Sequence, residues 1–283
     1  MPANAVTDLV DLVRAHPRLF VLTGAGCSTD SGIPDYRDNA GAWKRKPPVD
    51  HRDFIADAAV RRRYWARSLI GWQHFGRASA NAAHHALAQL EARGHITCLV
   101  TQNVDGLHQA AGSRAVIDLH GRIDRVMCLG CGVRLPRADF QAELGRRNPA
   151  WLALRAQAAP DGDADLEADF DDFDVPPCAR CGGILKPDVV FFGDTVPMDV
   201  VRTAMDALAA SDAVLVAGSS LMVYSGLRFV RAAAALGKPV ACVNLGRTRA
   251  DELFACKVEG PCGGVLPELS RALSACTQAE LQP

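Results

Sequence analysis

Ten cysteines occur in 283 residues, and four of them fall in two C-x-x-C pairs, Cys128/Cys131 and Cys178/Cys181. Each pair is followed by a glycine, Gly132 and Gly182, which suits the tight backbone turn under a metal. Two knuckles of this spacing let four thiolates converge tetrahedrally on Zn²⁺. Four protein ligands close the coordination sphere and leave no open position for water, so the expected ion is one structural zinc, not a catalytic one. The 46 residues between the pairs exceed the usual ribbon spacing, but unrelated cysteines rarely fall into two such pairs. Cysteines used this way point to a reducing compartment, and the chain is far longer than a disulfide scaffold.

A second constellation is Thr23-Gly24-Ala25-Gly26-Cys27-Ser28. Glycines let a backbone approach a pyrophosphate, and the N-terminus of a following helix offers it unpaired N–H groups. The run departs from the usual dinucleotide fingerprint: Thr29 stands at the third glycine position, and no clear second strand ends in an acidic residue, as that fingerprint wants about 20 residues on. An ordinary nicotinamide dehydrogenase is therefore disfavoured, and a bound dinucleotide would need another partner for its ribose. Further small, amide or acidic residues cluster in Ser31–Asp38 (S-G-I-P-D-Y-R-D), Thr101–His108 (T-Q-N-V-D-G-L-H), Asp118–Gly121 (D-L-H-G), Gly218-Ser219-Ser220 and Asn244-Leu245-Gly246.

What must position these loops is a set of short apolar runs that each end just before one of them: Arg18–Thr23, Ile96–Thr101, Ala213–Gly218 and Pro239–Asn244, with a shorter one at Ala115–Ile117. Their length and glycine boundaries favour buried strands. Between them lie Ala-rich helical stretches at Asn81–Arg93, Val200–Ala210 and Gly226–Leu236, and Val6–Arg14 opens the chain with apolar residues at helical spacing. Strands alternating with helices imply a parallel sheet covered on both faces, with ligands at the carboxyl ends of the strands. The fold class expected is α/β.

Two stretches break that rhythm. Trp43–Arg77 is helical in composition and basic, with nine Lys+Arg against three Asp. Arg122–Lys186 carries the cysteine pairs and an acidic tract, Asp161–Asp174, with eight carboxylates and no basic residue, which reads as a solvated, partly mobile loop. The two stretches are expected to pack together as a smaller second domain, helical module plus zinc module, over residues 39–80 and 122–185. Residues 1–38, 81–121 and 186–283 would then form the large domain.

Charge gives no reason to expect a nucleic-acid or membrane-surface partner: 31 Lys+Arg oppose 32 Asp+Glu. No apolar run approaches the ~18 residues that span a bilayer, and Met1–Phe20 has neither signal-peptide nor transit character. A cytoplasmic location is expected.

Taken together these motifs resemble the sirtuins, NAD-dependent protein deacylases, from about Arg14 to Leu266. G-A-G-C-S-T-D-S-G-I-P-D-Y-R, R-R-Y-W-A-R-S-L-I-G-W (Arg62–Trp72) and the long segment between the cysteine pairs are similar to class II, which includes one mitochondrial sirtuin and bacterial relatives. The resemblance implies a Rossmann-like large domain, with NAD and an extended acyl-lysine peptide entering a cleft from opposite sides. It implies that Gly24, Ala25, Gly26 and Ser28 line the pyrophosphate and ribose region, and that Asp35, Tyr36 and Arg37 belong to a cofactor loop. Gln102, Asn103 and Asp105 would form the nicotinamide pocket with the Ile33 backbone. Gly218, Ser219, Ser220, Asn244, Leu245, Gly246 and Cys262 would hold the adenosine half, an amide replacing the usual acidic ribose partner.

His120 is the expected catalytic base, supported by Asn103. In the family the acyl oxygen displaces nicotinamide, and the imidazole then activates a ribose hydroxyl toward the acyl carbon, giving free lysine and O-acyl-ADP-ribose. That demands a base of near-neutral pKa. Val190, Phe191, Phe192 and Gly193 resemble one segment, and Leu221–Tyr224 with Val223 the other, that sandwich the peptide as an added strand. Tyr64 and Arg67, i and i+3 on one helix face, are similar to a Y-x-x-R pair that holds dicarboxylic acyl chains in class III. An alternative pairs Arg67 with Asp53 or Asp57. Two other functions share the NAD site: protein mono-ADP-ribosylation and a non-catalytic NAD-sensing zinc scaffold. Cys27 would be a redox switch if its thiol were exposed.

Overall fold

The computed structural model describes residues 3–44, 48–154, 157–158, 164–166 and 168–279. In chain order its elements are α1 (Ala3–Ala15), β1 (Leu19–Thr23), α2 (His51–Ala56), α3 (Ala58–Phe75), α4 (Ala82–Ala92), β2 (Ile96–Thr101), α5 (Leu107–Ala110), β3 (Val116–Asp118), β4 (Gly121–Cys128), β5 (Arg134–Pro136), α6 (Arg137–Arg147), β6 (Gln157–Ala158), β7 (Ala164–Asp165), β8 (Leu185–Val189), α7 (Met198–Ala210), β9 (Ala213–Ala217), α8 (Tyr224–Ala235), β10 (Val240–Asn244), β11 (Cys256–Glu259) and α9 (Cys262–Ala279).

The apolar runs are strands because both their faces are buried. Along β1, Leu19 and Val21 pack on one side with α1, α4 and α9, while Phe20 and Leu22 pack on the other with α7 and α8. The same alternation runs through β9 and β10. The result is a six-stranded parallel sheet in the order β11-β10-β9-β1-β2-β3. Succession runs outward from β1 through β2 to β3, then resumes on the other side at β9. The topological switch point therefore lies between β1 and β9, where a parallel sheet opens its ligand crevice.

At that point the chain cannot tolerate side chains. A Cβ on Gly24 would lie 2.8 Å from the Gly218 carbonyl oxygen, and Gly218 itself has φ +64 with the Cys27 nitrogen 2.4 Å from its would-be Cβ. The turns after β1 and β9 thus pack backbone to backbone.

The second sheet is antiparallel, β5-β4-β8. With α2, α3 and α6 it encloses a separate core of Phe54, Tyr64, Trp65, Leu69, Val126, Phe140, Leu144, Trp151, Phe173 and Leu185. Buried Arg137 stitches α6 to α3: it donates to the Ser68 carbonyl and hydroxyl and lies over Trp65 and Trp72.

One local expectation is revised: within Trp43–Arg77 the helices begin only at His51, and Trp43 instead bridges back to Arg37. In the described part of the acidic tract Asp169, Asp171, Asp172 and Asp174 are exposed, as in a solvated loop, while Phe173 is 2% exposed and Phe170 stacks on Trp151 at 5.6 Å; residues 161–163 and 167 lie outside the described residues. Among the described residues no helix is long and apolar enough to cross a membrane.

Candidate active site

A cavity of about 510 Å³ opens along the carboxyl edge of the large sheet and runs between the two cores. Its lining includes Gly24, Ala25, Gly26, Ser28, Ile33, Asp35, Tyr36 and Arg37 after β1, and Gln102, Asn103 and Asp105 after β2. It also includes His120 after β3, Gly218, Ser219 and Ser220 after β9, Asn244 and Leu245 after β10, and Cys262 at the start of α9. The segments expected to sandwich a peptide, Val190–Gly193 and Val223, face the same cavity, as does Tyr64. Two expected residues stand off the lining. Gly246 (φ +75) is the turn that backs the cofactor loop, a Cβ there falling 2.4 Å from the Asn39 carbonyl oxygen. Arg67 directs its Nε to the Ala164 carbonyl at 2.7 Å, which binds α3 to β7, a partner other than the expected Asp53 or Asp57.

The floor of the cavity is a connected polar network. Ser28 Oγ donates to Asp105 Oδ2 at 2.6 Å and accepts from Asn103 Nδ2 at 3.0 Å, while Asn103 Nδ2 also reaches the Gly24 carbonyl at 3.0 Å. Gln102 Nε2 donates to the Thr23 carbonyl at 3.1 Å and to Ser219 Oγ at 2.7 Å, tying the β1, β2 and β9 turns together. His84 and His108 support this floor from behind. His84 Nδ1 accepts the Asn81 N–H that caps α4, so its Nε2 carries the proton directed at Ser28. His108 Nε2 meets Thr23 Oγ1 at 2.9 Å, and burial, with the adjacent His84 ring opposing a second positive charge, holds its pKa at about 3. Cys27, His84 and His108 lie within 4.8 Å of one another, but His84 offers no free lone pair, so the cluster reads as structural.

His120 sits where the chain leaves the large sheet and enters the small one, between β3 and β4. Gly121 (φ +79) makes that crossing: a Cβ there would meet the Asp188 carbonyl at 2.1 Å. The His120 carbonyl accepts from the Val190 N–H at 2.8 Å. Its Nδ1 lies 2.8 Å from the Gln102 carbonyl oxygen and its Nε2 lies 2.8 Å from Ser225 Oγ. A carbonyl only accepts, so Nδ1 carries a proton; in the neutral ring Nε2 is then the bare, basic nitrogen. Burial lowers the His120 pKa, the Gln102 hydrogen bond opposes that shift, and Arg228 adds to it. A neutral imidazole with its basic nitrogen on the cavity wall suits a general base at neutral pH.

Ser225 and Arg228 were not legible in the sequence as site residues. They reach the cavity from the first turns of α8, a placement that spacing alone does not reveal. Trp43 likewise joins Tyr36 and Phe192 edge-to-face, at 6.2 and 5.5 Å, and Arg37 lies 4.0 Å over its ring. Leu221, buried on the cavity wall beside Met222 and Val223, is the non-glycine residue at positive φ (+56) among those described, a conformation that costs about 1–3 kcal/mol.

The four knuckle cysteines converge as expected. Cys128 and Cys181 Sγ lie 3.4 Å apart and Cys131 and Cys178 Sγ 3.8 Å apart, close to the ~3.8 Å edge of a tetrahedron with Zn–S of about 2.3 Å. The two turns are the same: Gly132 and Gly182 N–H groups bond the Cys128 and Cys178 carbonyls, and both glycines have positive φ, +70 and +72. The donor set fits one structural zinc.

Cys27 departs from the exposed thiolate a switch would need. It is 1% exposed, and its hydrogen bond with Cys262, together with burial, pushes its pKa well up. Peroxide is therefore expected to inactivate Cys27→Ala as fast as wild type, with zinc release in step; a protected Cys27→Ala variant would make Cys27 the reactive thiol.

The sequence model described as "SIR2: Sir2 family" matches residues 24–225. "NAD-dependent protein deacetylase 2" of Bradyrhizobium diazoefficiens is 65% identical over 260 residues, spanning 92% of this chain and 95% of that protein. "NAD-dependent protein deacetylase" of Bordetella bronchiseptica is 64% identical over 253 residues, spanning 89% and 92%. Among solved structures, one described as "Structural Basis for the Mechanism and Regulation of Sir2 Enzymes" superposes with TM-score 0.77 at 30% identity, over 96% of this chain and 99% of that one. Another, "Sir2-p53 peptide-NAD+", gives 0.74 at 28%, over 97% and 99%.

Proposed function

The chain belongs to the Sir2 family, and from that premise we infer that it is an NAD-dependent protein lysine deacetylase that moves the acyl group to ADP-ribose and releases nicotinamide. The observation that carries the reading is the His120 ring, whose Nδ1 is held by the Gln102 carbonyl and whose Nε2 is left as the base on the cavity wall. The relatives' names favour deacetylation over ADP-ribosyl transfer and over a catalytically silent NAD sensor.

NAD, as co-substrate, supplies the electrophilic sugar carbon and the ribose hydroxyl that captures the acyl group. The chain's own residues bind, orient and move the proton. The Gly24, Gly26, Cys27, Ser28 and Gly218 N–H groups are bonded within the fold, which leaves the Ala25, Ser219 and Ser220 N–H groups and the Ser219 and Ser220 hydroxyls to meet phosphates and ribose; Asn244, Leu245 and Cys262 wall the adenosine end. Asp105, fixed by Ser28, is placed to accept from a carboxamide, and Asn103 orients Ser28. His120 Nε2 takes the hydroxyl proton. Phe192–Gly193 and Leu221–Val223 offer backbone on either side of an extended acyl-lysine peptide, binding it as an added strand. Zinc, held by Cys128, Cys131, Cys178 and Cys181, supports the small core. Residues 39–80 and 122–185 form the smaller domain in this proposal, supported by the separate small core drawn largely from 49–75 and 123–191. The thiol-rich metal site favours the cytoplasm.

Acyl preference follows from the wall. Tyr64 packs against Phe54, Phe191 and Trp65 at 5.2–5.4 Å, an aromatic surface, while the Arg67 Nε is spent on Ala164. Purified zinc-loaded protein is expected to release nicotinamide in step with O-acyl-ADP-ribose when given acetyl-lysine peptides, with kcat/KM at least about tenfold above succinyl-lysine, the scale of one lost charge-assisted contact. A succinyl preference would return Arg67 to the substrate. Absence of acyl-dependent release for any chain tested, with NAD still bound, would overturn the deacetylase reading, and label transferred from NAD to protein would replace it with ADP-ribosylation.

A further inference from the structure

We propose that Ser225 is a positioning residue for His120, holding the imidazole in the Nδ1–H tautomer with Nε2 poised at the cavity and then accepting its proton-bearing form. The proposal rests on His120 being the base. Ser225 is 8% exposed, in the first turn of α8, and its Oγ lies 2.8 Å from Nε2. The opposite end of the ring is held at the same distance by the Gln102 carbonyl. The two holders are locked to each other: a Cβ on Gly226, the residue after Ser225, would lie 2.5 Å from Gln102 Oε1. The side chain of Gln102 thus packs directly on the α8 backbone, fixing the distance across which the ring is stretched.

The hydroxyl is the group that suits both states of the ring. Before substrate binds, Ser225 O–H donates to the bare Nε2; that nitrogen has one lone pair, so the hydroxyl turns away when a substrate hydroxyl comes to donate there. When a substrate hydroxyl gives up its proton, that proton arrives on Nε2 and its electron pair stays on the substrate oxygen. Ser225 then rotates from donor to acceptor, keeping its own proton, and receives Nε2–H. A methyl group can do neither, and a carboxylate would favour the charged ring too strongly. The charged group acting on the ring is Arg228, one turn further along α8, which opposes imidazolium as the positive end of the helix dipole does. Asp118, two residues before His120, is committed to Gln109 at 2.9 Å and to Arg122.

The test compares wild type, Ser225→Ala and Ser225→Thr in the zinc-loaded protein. The readouts are His120 titration by NMR, acyl transfer to ADP-ribose, and exchange of labelled nicotinamide into NAD, a step that precedes proton removal by His120. Loss of the hydroxyl removes a neutral bond to bare Nε2 and a stronger, charge-assisted one from the imidazolium, so the ring pKa is expected to fall by about half to one pH unit. Acyl transfer should fall about tenfold or more, while nicotinamide exchange stays within about twofold, and Ser225→Thr, which keeps the hydroxyl, should restore both. An unchanged ring titration in Ser225→Ala overturns the proposal whether or not the protein is active. So does a parallel fall of transfer and exchange, the signature of a loosened fold. Failure of the deacetylase reading shows separately, as wild-type protein without acyl-dependent nicotinamide release.

Discussion

Replacing His120 with alanine is expected to remove acyl transfer by about 10²–10⁴-fold, the range that a positioned general base contributes, with little change in melting temperature. The asymmetry follows from what the ring touches. It makes two neutral hydrogen bonds, to the Gln102 carbonyl and to Ser225 Oγ, together worth about 1–3 kcal/mol to stability. Both partners stand on the wall of a solvent-accessible cavity, where water can replace the ring. The backbone at this position is held independently, by the Val190 N–H to the His120 carbonyl and by the Gly121 crossing. Binding of NAD should therefore survive in His120→Ala, because the Gly24–Ser28 turn and the Ser28–Asp105–Asn103 network do not depend on the imidazole. The pH profile carries the same argument. Burial and Arg228 lower the His120 pKa, so the neutral, active ring persists to lower pH than the ordinary value of about 6.5 allows. The acid limb of kcat/KM should lie below that value. An acid limb at or above 6.5, or a His120→Ala variant with wild-type transfer, would assign the base elsewhere.

The carboxyl-edge loops were legible in the sequence because each follows a continuous apolar run that only a two-sided buried strand explains. β1, β2, β9 and β10 lie within a residue of their expected bounds. What escaped reading has a physical cause in each case. β11, Cys-Lys-Val-Glu, is an edge strand with mixed polarity, paired on one side to β10, so it lacks the apolar run. α9 carries Gly263, Gly264 and Pro267 in its first turns, residues that punctuate a chain locally but here let the helix start against the β1 turn; a Cβ on Gly263 would strike Asp30. Trp43 was read as helical by composition, yet its ring is claimed by Tyr36, Phe192 and the Arg37 guanidinium, a tertiary preference that overrides local propensity. Ser225 carries no motif at all. Its role exists only once α8 is laid against the end of β2, and the residue that permits this is the neighbouring Gly226.

Removing zinc is expected to silence the enzyme while leaving the large sheet folded. The knuckles lie at the far ends of the two strands that reach the active site: β4 runs from Gly121, beside His120, to Cys128, and β8 runs from just beyond Cys181 to Val189, next to Val190 and Phe191. Cys128 and Cys178 are themselves buried in the small core. Four thiols without the ion would leave the β4–β8 pairing to be held by that core alone, against an apparent zinc contribution of about 10–16 kcal/mol in small zinc modules and a total domain stability of about 5–15 kcal/mol. Neither face of the six-stranded sheet includes a metal ligand, so its melting should be nearly unaffected. Three of the four tryptophans, Trp65, Trp72 and Trp151, belong to the small core, and Trp43 to the cofactor loop. Tryptophan emission is thus a reporter of the zinc-dependent half. Chelation under denaturant too mild to melt the large sheet, or Cys178→Ser, should shift emission to the red and reduce acyl transfer more than about tenfold, while far-UV circular dichroism keeps most of its helical signal. Full activity and unshifted emission in protein shown metal-free by elemental analysis would mean that the aromatic core alone holds β4 and β8 in register, and that the four cysteines are not what keeps His120 and Phe191 on the cavity wall.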